Sequence, residues 1–355
     1  MRLLGEKINM REIKNIIQFI EIISDHSSML DYNKKDTYHL YKIDEVIKEF
    51  VWMTELSSKE GESKKYSVKE IDEFIDLNYE YLYSYVYRKN TEKLQKLSFF
   101  YRGISNNTYP IVSGIYRSDE KHSENFYFNE INARCPDTFR TLDNLGRLAY
   151  MQHYGCPTRL LDITTNPLVA LYFACTGNDE KNGSVYIFGI DSNDVLYANS
   201  DRIQMLSKLA EFKKEDQDIL RYYAYRNIRQ DKFPQNSNKK YVLKQLEQFY
   251  HAIVRNHGGF EREIIPFDLL KPQFVLPNKE NLRILKQDGA FIISALDGND
   301  QESDMKIRKS LVEEITIDAK DKKTILNELE CVGINQASLF PEVEKVADYL
   351  RKKTI

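Results

Sequence analysis

The chain has 355 residues, of which 42% are hydrophobic and 30% are charged, and its 51 basic and 54 acidic side chains give a formal net charge of −3. This composition is typical of a folded globular protein with one large domain or two smaller ones. The near balance of charge excludes a strong overall attraction to nucleic acid or to an anionic membrane, although a local basic groove is compatible with it.

The four cysteines follow no pattern typical of metal ligands. They are Cys135, Cys156, Cys175 and Cys331. We expect them to be reduced thiols in a cytoplasmic protein, because the sequence contains neither a signal peptide nor an apolar segment long enough to span a membrane. A nucleophilic Cys156 could use His153 as its base, but its place beside Pro157 favours an apolar turn position.

Residues 1–90 are predicted to form a helical lead-in without reactive groups. The Asn9-x-x-Glu12 pattern fits a capping box, and isoleucines then recur at helical spacing as far as Ile23. Further helices are predicted at 43–50 and 67–86.

Residues 91–355 are predicted to form an α+β domain with a mixed or antiparallel strand core and a helical insertion at about 200–256. Residues 104–139 are predicted to be irregular. Strands are predicted at 97–101, 159–163, 184–190, 263–265, 274–276, 290–294 and 314–317. Helices are predicted at 142–152, ended by Gly155, at 168–174, begun by Asn166-Pro167, at 321–330, ended near Gly333, and from Pro341 onwards.

Arg102 and Gly103 follow the first predicted strand of this domain. The guanidinium offers a fork of donors that matches phosphate or carboxylate, and glycine lets a ligand or another backbone approach closely. The structural alternative is that Arg102 pairs with a buried acid, for which Asp162 is the obvious candidate.

The stretch 152–174 contains the densest group of polar residues beside an apolar run. These residues are His153, Thr158, Arg159, Asp162, Thr164 and Thr165. Amides at the helix start that follows Thr165 favour an anion, whereas simple capping of that helix is the alternative. Arg159 and Asp162 point to opposite faces of a strand, so each needs its own partner. His153 is either functional or a satisfied core histidine.

Two carboxylates, Glu261 and Glu263, are separated by one residue in a predicted strand and therefore share one face. There one carboxylate can raise the pKa of the other, although an exposed charged edge is equally compatible with the pattern. Gln287 precedes a turn and can bind a ligand or the backbone. The sequence has no glycine-rich phosphate loop, zinc signature or nucleophile elbow, and we predict no metal site.

Several motifs resemble the FRG domain, a bacterial family named for an F/Y-R-G motif, from about residue 90 to the C-terminus. The matching segments are Tyr101-Arg102-Gly103, Tyr109 to Arg117, Gln152-His-Tyr-Gly-Cys-Pro-Thr-Arg-Leu-Leu-Asp162, Asn166-Pro-Leu-Val-Ala-Leu-Tyr-Phe-Ala174, Gln287-Asp-Gly-Ala-Phe291 and Gly333 to Pro341. Ile163 stands where an aromatic residue is common in the family, and Gly114 stands where proline is usual.

The chain also resembles ADP-ribosyltransferases in the order of three elements. These are Arg102, the Thr164-Thr165 pair with the following helix, and a later glutamate, Glu261 or Glu263. This resemblance implies a split strand core and NAD as the substrate. Glu263 would stabilise an oxocarbenium-like transition state, while Glu261 would orient the acceptor.

The same resemblance implies roles for the remaining candidates. His153 would position the substrate beside the two glutamates. The dinucleotide would contact Arg102, Gly103, Thr158, Arg159, Asp162, Thr164, Thr165 and Gln287. The acceptor would be a protein or a nucleic acid, as in a toxin or an antiphage effector.

Two alternatives to an NAD-using transferase stay open. One is a non-catalytic module that binds a nucleotide or a protein through a buried polar network. The other is a metal-dependent nuclease, for which Asp162, Glu261 and Glu263 would have to supply the metal ligands.

Overall fold

The computed structural model describes residues 9–28, 97–117, 119–229, 238–260, 266–279 and 281–352. The helices predicted at 43–50 and 67–86 and the strand predicted at 263–265 lie outside these ranges.

One mixed sheet of eight strands forms the centre of the described part of the chain. The strands are β1 (Asn9–Ile13), β2 (Leu97–Ile104), β3 (Leu160–Thr164), β4 (Gly183–Asp191), β5 (Leu196–Tyr197), β6 (Gln273–Leu276), β7 (Gly289–Ile293) and β8 (Leu311–Ile317). Their order across the sheet is β1-β8-β4-β2-β3-β7-β6-β5. The β1–β8 and β5–β6 pairs are parallel and the others are antiparallel, which confirms the predicted mixed strand core.

Thirteen α-helices surround the sheet in the part of the chain that the structure describes. They are α1 (Ile16–Ser28), α2 (Glu124–Arg134), α3 (Pro136–Phe139), α4 (Asn144–His153), α5 (Pro167–Cys175), α6 (Asp201–Lys208), α7 (Lys214–Arg229), α8 (Asn238–Asn256), α9 (Leu282–Lys286), α10 (Asp300–Arg308), α11 (Lys322–Cys331), α12 (Gln336–Leu339) and α13 (Val343–Lys352). Helices α2 and α3 lie in the segment that the sequence predicts to be irregular.

The N-terminal segment corrects the predicted capping box. Asn9 to Ile13 form β1, which pairs in parallel with Glu313 to Ile317 of β8, and α1 begins only at Ile16. Ile13 is fully buried in this arrangement, and Arg11 Nε lies 3.0 Å from Glu313 Oε1. The pairing satisfies backbone groups that a helix would satisfy internally, so the distant partner strand decides the conformation.

Helix α5 begins where the sequence predicts it to begin. Asn166 is its N-cap and accepts a hydrogen bond from the Leu168 amide at 3.0 Å, while Pro167 occupies the first turn. The helix is apolar on all sides and lies against β2 and β4. A Cβ atom on Gly103 would be 1.8 Å from the Ala170 carbonyl oxygen, so the backbones of β2 and α5 are in direct contact.

Two hydrophobic clusters share one face of the sheet, since the directly paired Tyr101 and Thr164 lie on the same face. The α5 cluster covers β8, β4 and β2, and it includes Tyr101, Val169, Leu171, Val185, Ile187, Ile315 and Ile325. The α6 cluster covers β3, β7 and β6, and it includes Leu148, Leu160, Leu206, Phe249, Phe291 and Ile293. A third cluster lies on the opposite face and includes Phe100, Ile163, Phe188, Phe274, Ile292 and Ile307.

The sheet is split between β2 and β3, where the first two clusters meet. These strands are paired only at Tyr101 and Thr164. In contrast, β2 pairs with β4 at eight positions and β3 pairs with β7 at five. The residues after Tyr101 and those before Thr164 therefore border an opening in the sheet, which we call the β2–β3 split.

We predict that Gly103→Ala strongly destabilises the protein. The added methyl group would meet the backbone of α5, which cannot move aside without moving the helix. We expect the free energy of unfolding in urea to fall by about 3 kcal/mol, at the upper end of overpacking costs.

Gly258→Ala is the matched control for this prediction. A Cβ atom at Gly258 would have no neighbour within 4 Å, so its effect should stay within about 0.5 kcal/mol. Equal stability of the two variants would contradict the proposed backbone contact.

Candidate functional site

The Arg102 side chain crosses the β2–β3 split. Its NH1 atom donates a hydrogen bond to the main-chain carbonyl of Asp162. Burial lowers the pKa of Arg102, whereas the Asp162 carboxylate raises it. The Nε atom is buried and has no hydrogen-bond partner among the residues that the structure describes. Arg102 therefore replaces a missing strand–strand hydrogen bond and keeps unused donor capacity beside an acid.

Continuing the Tyr101–Thr164 register places Asp162 opposite Gly103 across the split, and the Asp162 carboxylate is exposed to solvent. On β3, Leu161 and Ile163 belong to the third cluster, so Asp162 lies on the face of the sheet that Leu160 and Thr164 share. Arg102 alternates with Phe100 and Ile104 of the third cluster, so its side chain starts from the opposite face and reaches Asp162 through the split. An exposed carboxylate in this position can accept hydrogen bonds from ribose hydroxyl groups.

The end of β3 is joined to the turn before β7, which we call the Thr164–Asp288 junction. The Thr164 hydroxyl donates to the Gln287 main-chain carbonyl at 2.7 Å, and the Thr165 amide donates to the Asp288 carbonyl at 3.0 Å. Asn166 Nδ2 lies 3.1 Å from Asp288 Oδ2 while its Oδ1 caps α5. Thr164 is buried, and the Thr165 side chain is exposed. The helix start is therefore capped by its own residue, and the exposed Thr165 is the threonine that a ligand can contact.

Gln287 binds the backbone with its side chain. Its Nε2 donates to the Leu339 carbonyl at 3.1 Å, which ties the junction to the end of α12. Asp288 has a φ of 45°, a conformation that aspartate tolerates better than most residues. This junction is therefore held by side chains as well as by β3–β7 pairing.

His153 at the end of α4 faces the C-terminal part of the chain. Its Nε2 is 3.4 Å from Glu342 Oε1. Burial lowers the pKa of His153, nearby Arg283 lowers it further, and Glu342 opposes both. The imidazole is therefore neutral at pH 7 and can accept a proton.

Thr158 and Arg159 are buried and bind protein groups, so we remove both residues from the predicted dinucleotide contacts. Thr158 Oγ1 donates to Gln152 Oε1 at 2.5 Å. Arg159 is 1% exposed, and its amide and Nε both donate to the Glu124 carboxylate at 2.6 Å. Its NH2 donates to Gln217 of α7 at 3.2 Å.

Gly103 is also no longer proposed to contact the dinucleotide, because the α5 backbone fills the space beside its Cα atom. Glu261 and Glu263 lie outside the described residues, and their roles stay predictions. Sequence reasoning missed Asp288, Glu342 and Arg283. Asp288 could have been noticed in the Gln287-Asp-Gly turn, whereas the positions of the other two depend on long-range packing.

The chemistry of the cysteines follows their surroundings. All four are free thiols. Burial raises the pKa of Cys156 and raises that of Cys175 to about 12, so both are protonated at pH 7. Among the described residues there is no group of three or more His, Cys, Asp and Glu side chains that could hold a metal ion. Within the same ranges, no helix has the length and apolar character needed to cross a membrane.

A family model described as the FRG domain matches residues 97–183. The chain carries an FRG domain. The match runs from β2 to the first residue of β4, so it includes Arg102, the β2–β3 split, β3 and α5. The motifs around Gln287 and Gly333 lie outside the matched residues. Searches of curated proteins and of solved structures give no match.

We predict that Glu124→Gln destabilises the FRG domain, because it leaves the buried Arg159 guanidinium without a counter-charge. Loss of one partner of a buried pair should lower the free energy of unfolding by about 3 kcal/mol. Chemical denaturation measures this change.

Glu130→Gln provides the control on the same helix. Glu130 pairs with Arg134 at 2.8 Å, and both side chains are exposed. Glu130→Gln should therefore lower the free energy of unfolding by about 1 kcal/mol or less. A Glu124→Gln loss no larger than that of the control would show that Arg159 is not held by this pair.

Proposed function

We propose that the FRG domain uses NAD as an ADP-ribosyl donor and binds it along the β2–β3 split. The observation that carries this proposal is the single residue pair between β2 and β3, with the Arg102 guanidinium in the opening that it leaves. A split strand core is what the resemblance to ADP-ribosyltransferases implies, and the limited pairing supports that expectation.

The groups around the split suit different parts of a dinucleotide. Arg102 provides a cation and an unused buried donor for the diphosphate. The exposed Asp162 carboxylate accepts hydrogen bonds from ribose hydroxyls. Thr165, the residue after β3, adds an exposed hydroxyl that donates to the Asp288 carbonyl at 3.4 Å. Thr165 lies three residues beyond Asp162, just after the end of β3, a distance of roughly 10 Å along extended chain that one nucleotide can span.

The reaction exchanges one bond at the ribose C1′ atom. The bond between C1′ and the nicotinamide nitrogen breaks, and nicotinamide leaves with the bonding electron pair. A nucleophilic atom of a protein or nucleic-acid acceptor then bonds to C1′ and loses its proton to a base. The neutral His153 imidazole is the candidate for this base.

A carboxylate near C1′ would stabilise the positive charge that develops on the ribose in the transition state. Glu263 keeps this role as a prediction, with Glu261 orienting the acceptor. Asp162 is the alternative acid, since its carboxylate is exposed at the split. The choice between Glu263 and Asp162 can be made by replacing each carboxylate with its amide.

A non-catalytic binding module is the second candidate function. The observation in its favour is that Arg102 already donates to the Asp162 main chain and Arg159 to Glu124, so scaffold contacts occupy part of both side chains. Such a module would bind a nucleotide or a protein without releasing nicotinamide. The nuclease alternative and a role as a toxin or antiphage effector also stay proposals.

We predict that the full chain releases nicotinamide from NAD labelled in the nicotinamide ring and transfers label from adenine-labelled NAD to an acceptor. Arg102→Gln should reduce release by about tenfold or more, since it removes a charged contact to the diphosphate. Saturating NAD should also raise the melting temperature, because a ligand present at 100 times Kd stabilises the folded state by about 2.7 kcal/mol.

Arg134→Gln is the control for this assay, because Arg134 is an exposed residue of α2 in a surface ion pair. Glu263→Gln and Asp162→Asn identify the acid by which of them abolishes release. Stabilisation by NAD without any nicotinamide release would favour the binding module instead. The absence of both effects would remove NAD from the proposal.

A further inference from the structure

The carboxylate of Glu342 is partly buried, and its charged partner is a histidine. Its Oε1 atom lies 3.4 Å from His153 Nε2. The second oxygen, Oε2, is buried and has no hydrogen-bond partner among the residues that the structure describes. Leaving a buried acceptor without a donor is costly, so an imidazole N–H is the donor that this carboxylate requires.

Two contacts hold the segment that carries Glu342. The Phe340 ring, two residues earlier, lies under the Arg283 guanidinium, with 4.8 Å between Cζ and the ring centroid. The Leu339 carbonyl accepts the hydrogen bond from Gln287 Nε2 at 3.1 Å. Through this bond the position of Glu342 is tied to the Thr164–Asp288 junction at the end of β3.

His153 approaches Glu342 from the last turn of α4. Helix α4 buries Leu148 in the α6 cluster, and Phe340 packs against the α5 cluster. Both clusters cover the face of the sheet on which Asp162 lies. The His153–Glu342 pair is therefore on the same side of the sheet as the exposed carboxylate at the β2–β3 split.

The surroundings of His153 decide which ring nitrogen can react. The Tyr154 ring is edge-on to the imidazole at a centroid distance of 4.7 Å, and the His153 side chain is 15% exposed. Burial and the charge of Arg283 lower the pKa of His153, whereas Glu342 raises it, so this carboxylate is the group that favours the protonated ring. Within the described ranges Nδ1 has no hydrogen-bond partner. A ring whose Nε2 proton faces a carboxylate keeps its lone pair on Nδ1.

We propose that Glu342 is a positioning residue for His153, which it holds with the Nε2 proton toward the carboxylate and the Nδ1 lone pair free to act as the base. As the acceptor atom bonds to the ribose C1′ atom, its own bond to hydrogen breaks and the proton passes to Nδ1. The imidazolium that forms is then stabilised by the Glu342 carboxylate. This role rests on the proposed NAD function for the reaction, but the arrangement of the imidazole is a separate claim.

Nuclear magnetic resonance of the full chain with isotope-labelled histidine tests the pair without any ligand. The His153 signals are those that disappear in His153→Gln, and we expect the neutral ring to carry its proton on Nε2. In Glu342→Gln the midpoint of the His153 titration should move to lower pH, because the amide keeps the size of the side chain but removes the negative charge. Glu344→Gln, which changes an exposed acid two residues away, should leave the midpoint where it is.

Nicotinamide release from NAD, with water as the acceptor, tests the role in the reaction. At a pH where His153 is neutral in both proteins, Glu342→Gln should lower kcat by about tenfold or more and leave KM unchanged, since the imidazolium loses its counter-charge. The acid limb of the kcat profile should move to lower pH together with the His153 midpoint. Glu344→Gln should match the unaltered chain in both respects. A purely structural Glu342 would instead lower the melting temperature on replacement and leave the acid limb in place.

Three results would overturn this role. They are a neutral His153 with its proton on Nδ1, a titration midpoint that Glu342→Gln does not move, and an acid limb that stays in place while kcat falls. Failure of the proposed enzyme gives a different pattern. The Nε2 proton and the shifted midpoint would then be observed without nicotinamide release from NAD, and the pair would not serve as the base of this reaction.

Discussion

The close contact between the backbones of α5 and β2 is the constraint on which the arrangement of the FRG domain depends. Gly103 on β2 and Gly183 on β4 both face this helix, and a Cβ atom at either position would lie within 2.2 Å of a helix carbonyl oxygen. The helix follows directly from the end of β3. The contact of α5 with these two glycines therefore determines where Thr164 and Asn166 leave the sheet. It also determines the position of β3 relative to β2.

Arg102 unites two interpretations that the sequence left as alternatives. A sheet that opens between neighbouring strands leaves main-chain groups without partners, and a guanidinium can satisfy such a carbonyl. Arg102 does so by donating to the Asp162 carbonyl, which makes it structural. Its remaining donor capacity lies in the opening that it helps to maintain. A residue that keeps a split open is also well placed to contact whatever enters the split.

Local sequence patterns predicted the elements whose signals are local. Examples are strand β2, the start of α5 at Asn166-Pro167, and the end of α4 at Gly155. Gly155 has the left-handed φ of 87° expected of a helix end. The helix capping box predicted at Asn9 was wrong because the segment forms a strand, and its partner, β8, lies about 300 residues away in sequence. Helix α2 was missed because it buries only Glu124 and Phe128, too few residues for an apolar stripe.

In the candidate site, too, local patterns do not reveal long-range partners. The role of an arginine depends on such partners, which are distant from it in sequence. Arg159, Arg102 and Arg117 lie in or near motifs of the same family, yet they differ in burial and pairing. Arg159 is enclosed and bound to Glu124, Arg102 binds the backbone at the edge of an opening, and Arg117 is exposed. This order runs from scaffold to solvent. Arg102 can therefore contact a ligand at the split directly, whereas Arg159 would influence a ligand only by holding β3 in place.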